Sequence, residues 1–161
     1  MMQKLSICLG IFLALAVSRF VPHPPNFTSL IALSFYVPVI FGRQFIPAII
    51  LSFAITDLVI GYHFGTFFTW GSVLLIGLIS NYFRKSLIKR LSGALVGAII
   101  FYIVTNFGVW ISGMYEYSFN GIISCYVAAI PFFAYSAIST ILFSFLIEII
   151  YKIYQFKVAR Q

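Results

Sequence analysis

The chain is 161 residues long, 62% hydrophobic and only 8% charged, with a mean hydropathy of +1.08. Soluble domains carry about 25% charged residues, so this chain has too few polar groups to cover a water-facing surface, and a soluble globular domain is excluded. Its net charge of +7 does not mark a nucleic-acid binder, because the positive residues sit where apolar segments end, as topology signals and lipid-headgroup contacts do.

The apolar segments are long and lack the strict alternation of barrel strands, which predicts an all-α polytopic membrane protein in a single domain. The first span covers residues 5–20. Gly10, Ala14 and Ser18 recur every four residues along one face, a stripe that lets another helix backbone approach closely. Ala14-Leu15-Ala16 also fits a small-x-small cleavage pattern, against which the stripe argues for a retained helix. Pro22, Pro24 and Pro25 then forbid a helix and force a stiff connection, followed by an Asn26-Phe27-Thr28 sequon.

The second span, residues 29–41, is short and contains Pro38; the third, 45–60, begins near Pro47 and carries Asp57. An aromatic, glycine-rich loop from Gly61 to Trp70 holds His63 and leads to the fourth span, 69–84. Arg84-Lys85-Ser86-Leu87-Ile88-Lys89-Arg90 packs four positive charges into seven residues. The fifth span, 91–110, carries Gly93/Gly97 and Ala94/Ala98 as close-packing faces and ends in Thr105-Asn106-Phe107-Gly108-Val109-Trp110. A loop with Glu116 precedes the sixth segment, 122–150, which is longer than one span needs and which Pro131 would kink. Glu148 and Lys152 are four apart, the spacing of a helical ion pair.

Six spans with both termini inside put nine of the ten Lys and Arg residues on one face; only Arg19 lies on the other, with Asp57, Glu116, His23 and His63. Short basic loops stay cytoplasmic, so this asymmetry sets an N-in/C-in topology in the cell inner membrane. Cys8 and Cys125 then fall at opposite ends and act as free, buried thiols.

Arg19 and Asp57 are costly at membrane depth unless paired, so each implies the other as partner, in a site or in a structural staple. An outward-facing small-molecule site is expected from Arg19, His23, Asn26, Asp57, His63, Trp70, Asn106, Trp110 and Glu116. The aromatic surplus suits a flat heterocycle, with Asp57 or Glu116 available for a cationic group. No nucleophile motif, phosphate loop, paired carboxylates or metal-ligand cluster is present, so neither an enzyme nor a cofactor is expected.

At Pro22–Thr28, Thr105–Trp110 and Tyr126-Val127-Ala128-Ala129-Ile130-Pro131-Phe132-Phe133 the sequence resembles an uncharacterised family of small bacterial membrane proteins. That family is similar, more distantly, to the substrate-binding S components of energy-coupling factor (ECF) transporters. The resemblance implies a six-helix bundle that captures a vitamin-like micronutrient and associates with a transmembrane coupling subunit and ATPases. It also implies that Gly10, Ala14 and Ser18 meet the coupling subunit. The alternative is a structural or assembly membrane protein, or a receptor without transport activity.

Overall fold

A computed structural model describes residues 2–158, with side chains for 3–156. Among these residues every regular element is helical: α1 (Met2–Phe20), α2 (Leu30–Phe41), α3 (Ile46–Ile60), α4 (Thr66–Ile79), α5 (Leu87–Val109), α6 (Phe119–Ala128) and α7 (Ile130–Val158). Short 3-10 turns at Arg43–Phe45 and Ser80–Phe83 and a π turn at Trp110–Met114 complete the chain.

The bundle is built around α2. Every residue from Leu30 to Pro38 is buried, and the helix packs against α3, α4, α5 and α7. Twelve residues rise only ~18 Å, against a hydrocarbon core of about 30 Å. That shortness carries little penalty for a helix enclosed from Leu30 to Pro38. Its lack of a polar face has the same origin, since a helix apolar all round belongs in an interior. Glycines on its neighbours make room. A methyl group at Gly93 of α5 would lie 2.6 Å from the Phe35 ring, and one at Gly77 of α4 would lie 3.5 Å from the Ser34 carbonyl and 3.0 Å from Ile46 of α3. The small-residue face predicted for the fifth span is therefore observed, with Gly93, Ala94, Gly97 and Ala98 all buried.

Among the described residues, five segments are long and apolar enough to cross a membrane: 3–20, 43–60, 66–83, 87–114 and 130–156. Two of the six segments expected from sequence differ in the structure. The second segment is a short central helix. The segment expected over 122–150 is broken at Ala129 into α6 and a much longer α7. Pro131 occupies the second position of α7, where its missing N–H costs nothing, so it starts that helix rather than kinking one.

Helix α1 packs on α3 through Ile11, Leu15 and Ala16, whereas Leu5, Leu9, Leu13 and Val17 are exposed. Gly10 and Ala14 are also exposed, with open space around Gly10. Two members of the small-residue stripe nevertheless meet Ser29, just before α2: the Ser18 hydroxyl hydrogen-bonds the Ser29 hydroxyl at 2.7 Å, and the Ala14 carbonyl accepts from it at 3.3 Å.

Basic residues gather at one end. Arg43 donates to the Leu78 carbonyl at 2.8 Å, and Arg90 grips Glu148 through Nε–Oε1 at 2.5 Å and Nη2–Oε2 at 2.8 Å. The expected Glu148–Lys152 pair is thereby corrected. Glu148 faces inward from α7 and is buried, while Lys152 is exposed, so the carboxylate takes the guanidinium that α5 brings beside it. The Lys157 side chain and Arg160 lie outside the described residues.

Candidate functional site

At the opposite end, the short loops after α1 and α3 and the start of α7 leave a cavity of about 670 Å³. Its polar lining includes Arg19, His23, Asn26, His63, Tyr102 and Asn106; Leu30, Ile31, Phe101, Phe132 and Phe133 supply apolar wall. Cys125 and Ser136 also reach it.

Arg19 is held from several sides. Its Nη2 lies 2.7 Å from Asp57 Oδ1, its Nη1 donates to the Thr56 hydroxyl and, at 3.3 Å, to the Phe53 carbonyl. The guanidinium carbon sits 4.3 Å from the Phe53 ring centroid. The second oxygen of Asp57 accepts from the Trp70 indole at 2.9 Å. The pair is neutral as a unit and nearly enclosed, at 13% and 7% side-chain exposure, so its charges are compensated where water is scarce. Asp57 and Trp70 stand behind the arginine and fix it; the arginine is the member that reaches the cavity.

The proline loop is shaped by backbone constraint. Asn26 adopts φ 63, a left-handed conformation that asparagine tolerates better than most residues. The turn closes through Phe27 N to the Pro24 carbonyl at 3.0 Å. The His23 ring nitrogen Nδ1 lies 2.7 Å from the Pro24 carbonyl, which can only accept, so Nδ1 carries the proton. Nε2 remains as an acceptor or a second proton site.

On α5, Tyr102, Thr105, Asn106 and Val109 all line the cavity, spaced as one helical face. Thr105 donates to Phe101 O and Asn106 to Tyr102 O, both at 2.7 Å, which satisfies these groups within their own helix. A carboxamide has two donors and an acceptor, so Asn106 keeps hydrogen-bonding capacity after this one bond. Tyr102 donates to the Tyr126 carbonyl at 2.5 Å and Tyr126 returns a bond to Ile103 O at 2.7 Å, stapling α6 onto α5. Cys125 completes that contact through Asn106 O at 3.4 Å.

Of the residues expected from sequence, Arg19, His23, Asn26, His63 and Asn106 come together on the cavity wall. Asp57 and Trp70 support it from behind. Trp110 and Glu116 do not line it: the Trp110 indole donates to the Glu116 carbonyl at 3.1 Å, and the Glu116 carboxylate accepts from Ser118 at 3.0 Å in an exposed loop. Tyr102, Thr105, Phe133 and Ser136 were missed. The first two were within reach of sequence reasoning, since they share a helical face with Asn106. Among the described residues, no group of three or more His, Cys, Asp or Glu side chains could hold a metal ion.

Residues 1–161 match a family described as being of unknown function, DUF6580. The chain belongs to that family. No curated protein matches it, and no solved structure does either.

Proposed function

We propose that the protein is a membrane-embedded solute-capturing subunit, with its basic end in the cytoplasm and the cavity opening on the outer face of the inner membrane. The observation that carries this reading is the convergence of Arg19, His23, His63 and Asn106 on one largely apolar cavity of about 670 Å³. Small-molecule sites have volumes of ~300–1,000 Å³, apolar walls and a few placed polar groups. Among the described residues, no carboxylate lines this cavity, and the charged group on its wall is the Arg19 guanidinium. That composition favours a flat or partly apolar solute with acceptor or anionic groups over the cationic solute that Asp57 and Glu116 suggested. An S-component-like assembly with a coupling subunit and ATPases is the uptake system we propose for such a subunit, on the resemblance at Pro22–Thr28 and Thr105–Trp110. The exposed Gly10 and Ala14 would then serve as the partner-helix face.

The test is native mass spectrometry of protein released from its own membranes. The wild type should retain a small polar solute, which Asn106→Ala should lose without losing its fold. Recovery of lipid alone, or equal solute on both proteins, would refute capture at this cavity.

A further inference from the structure

A second buried feature runs from the cavity toward the basic end. Ser136, Thr140, Ser144 and Glu148 recur every four residues along α7 and are 2%, 0%, 0% and 4% exposed, a continuous polar seam inside an apolar bundle. Its first member lines the large cavity. Its last lines a separate pocket of about 100 Å³ at the basic end, with Tyr36, Arg84, Arg90 and Tyr151. The seam therefore bridges two cavities across ~18 Å of helix.

Its middle is unlike the rest of the protein. Buried hydroxyls in these helices ordinarily donate to their own backbone, as Ser34, Ser52, Thr56, Thr69, Ser72 and Ser139 do to carbonyls three or four residues back. Thr140 and Ser144 do not. Together with the Tyr36 hydroxyl, theirs are buried oxygens without a hydrogen-bond partner among the described residues. The Tyr36 hydroxyl lies within interaction range of both Ser144 and Glu148 and so borders the same seam. Leaving a hydroxyl unpaired in an apolar interior is costly, and such groups are normally satisfied by bound water.

We propose that this seam holds a file of bound water joining the outer cavity to the pocket at Arg90 and Glu148. The spacing suits it. From Ser136 to Ser144, residues four apart are separated by ~6 Å along the axis, too far for one hydroxyl to reach the next and about right for two hydrogen bonds through one water, while between Ser144 and Glu148 the Tyr36 hydroxyl intervenes. A metal cation fits less well, because Arg90 already neutralises the seam's only carboxylate. The file gives the Arg90–Glu148 pair contact with solvent from the far side of the bundle.

Radiolytic hydroxyl-radical footprinting in lipid nanodiscs reads this directly, because buried side chains beside bound water are modified while dry ones are not. Tyr36 is only 1% exposed, yet should be modified at a rate comparable to that of Tyr82, which is 78% exposed. Combining Thr140→Val with Ser144→Ala should reduce Tyr36 modification several-fold and leave Tyr82 unchanged, whereas Thr140→Ser should retain it. Protection of Tyr36 in the wild type would overturn the proposal. So would modification that persists in the double variant, which would mean that water reaches Tyr36 only from the basic end. Thermal denaturation supplies a second reading should the double variant fail to fold: Thr140→Val alone should lower the melting temperature of a hydrated seam, and raising it would show that the hydroxyl sits dry.

Discussion

Glu148 sharply separates a local from a tertiary account of the same residue. Its side chain is 5% exposed and bound by two guanidinium nitrogens of Arg90, which is itself 18% exposed. Breaking a buried pair by removing one partner costs about 3–5 kcal/mol, mostly from the charge left behind. The two halves should not be equivalent. In Glu148→Ala the orphaned Arg90 keeps the Arg84 carbonyl at 3.3 Å and can extend toward the basic end, so the loss should be roughly 2 kcal/mol. In Arg90→Met the carboxylate is stranded beside Tyr36, and the cost should reach the full 3–5 kcal/mol noted above. At roughly 2–4 °C per kcal/mol for a chain of this size, Arg90→Met should lower the melting temperature by about 6–20 °C. Replacing both residues with Met should cost clearly less than the sum of the single changes, because no unpaired charge remains. Lys152→Ala should fall within about 0.5 kcal/mol of wild type, as exposed substitutions do. Thermal unfolding in detergent, monitored by circular dichroism, measures all four. Equal or larger loss from Lys152→Ala than from Glu148→Ala would refute the reasoning and restore the pairing along α7.

Glycine positions give a matched test of packing. Gly93→Ala should destabilise by about 1–3 kcal/mol in the same assay because of its clash with Phe35, whereas Gly10→Ala should be neutral or slightly stabilising. For topology, Ser86→Cys and Ser118→Cys, each in a background lacking Cys8 and Cys125, should differ in labelling by an impermeant thiol reagent on intact cells. Position 118 should react and position 86 should not; the reverse would invert the bundle. At the cavity, Asn106→Ala should weaken solute retention about five- to hundredfold, the effect of removing one buried hydrogen-bond partner. Trp110→Ala should alter retention much less, because its indole bonds to the Glu116 backbone outside the cavity.

Membrane character, helical class and the grouping of basic residues were legible because they depend on composition and on local runs of residues. Gly93, Ala94, Gly97 and Ala98 were legible too, since four-residue spacing on one helix is a local signal. The role of α2 was not. A run from Leu30 to Phe41 looks alike whether it faces lipid or neighbouring helices, as both surroundings are apolar. Its shortness was the one clue, and it is explained by enclosure. The break at Ala129 was hidden similarly: no glycine marks it, and Pro131 two residues later suits the interior kink first expected of it as well as the helix start it makes.

At the cavity the same limit operates on polar groups. Arg19 and Asp57 could be matched from sequence because two opposite charges near equal membrane depth have few alternative partners. Glu148 could not, since Lys152 on its own helix was a sufficient local explanation and Arg90 is 58 residues away. Trp110 and Glu116 were drawn toward the site by their proximity to Asn106 in the chain. The helix ends between them, and the π turn with Gly113 at φ 82 carries the following loop away from the α5 face that holds Tyr102 and Asn106. Helical phase, more than sequence proximity, decides membership of this site. Tyr102, four residues before Asn106, belongs to the wall, whereas Trp110, four residues after it, reaches the turn where that phase is lost.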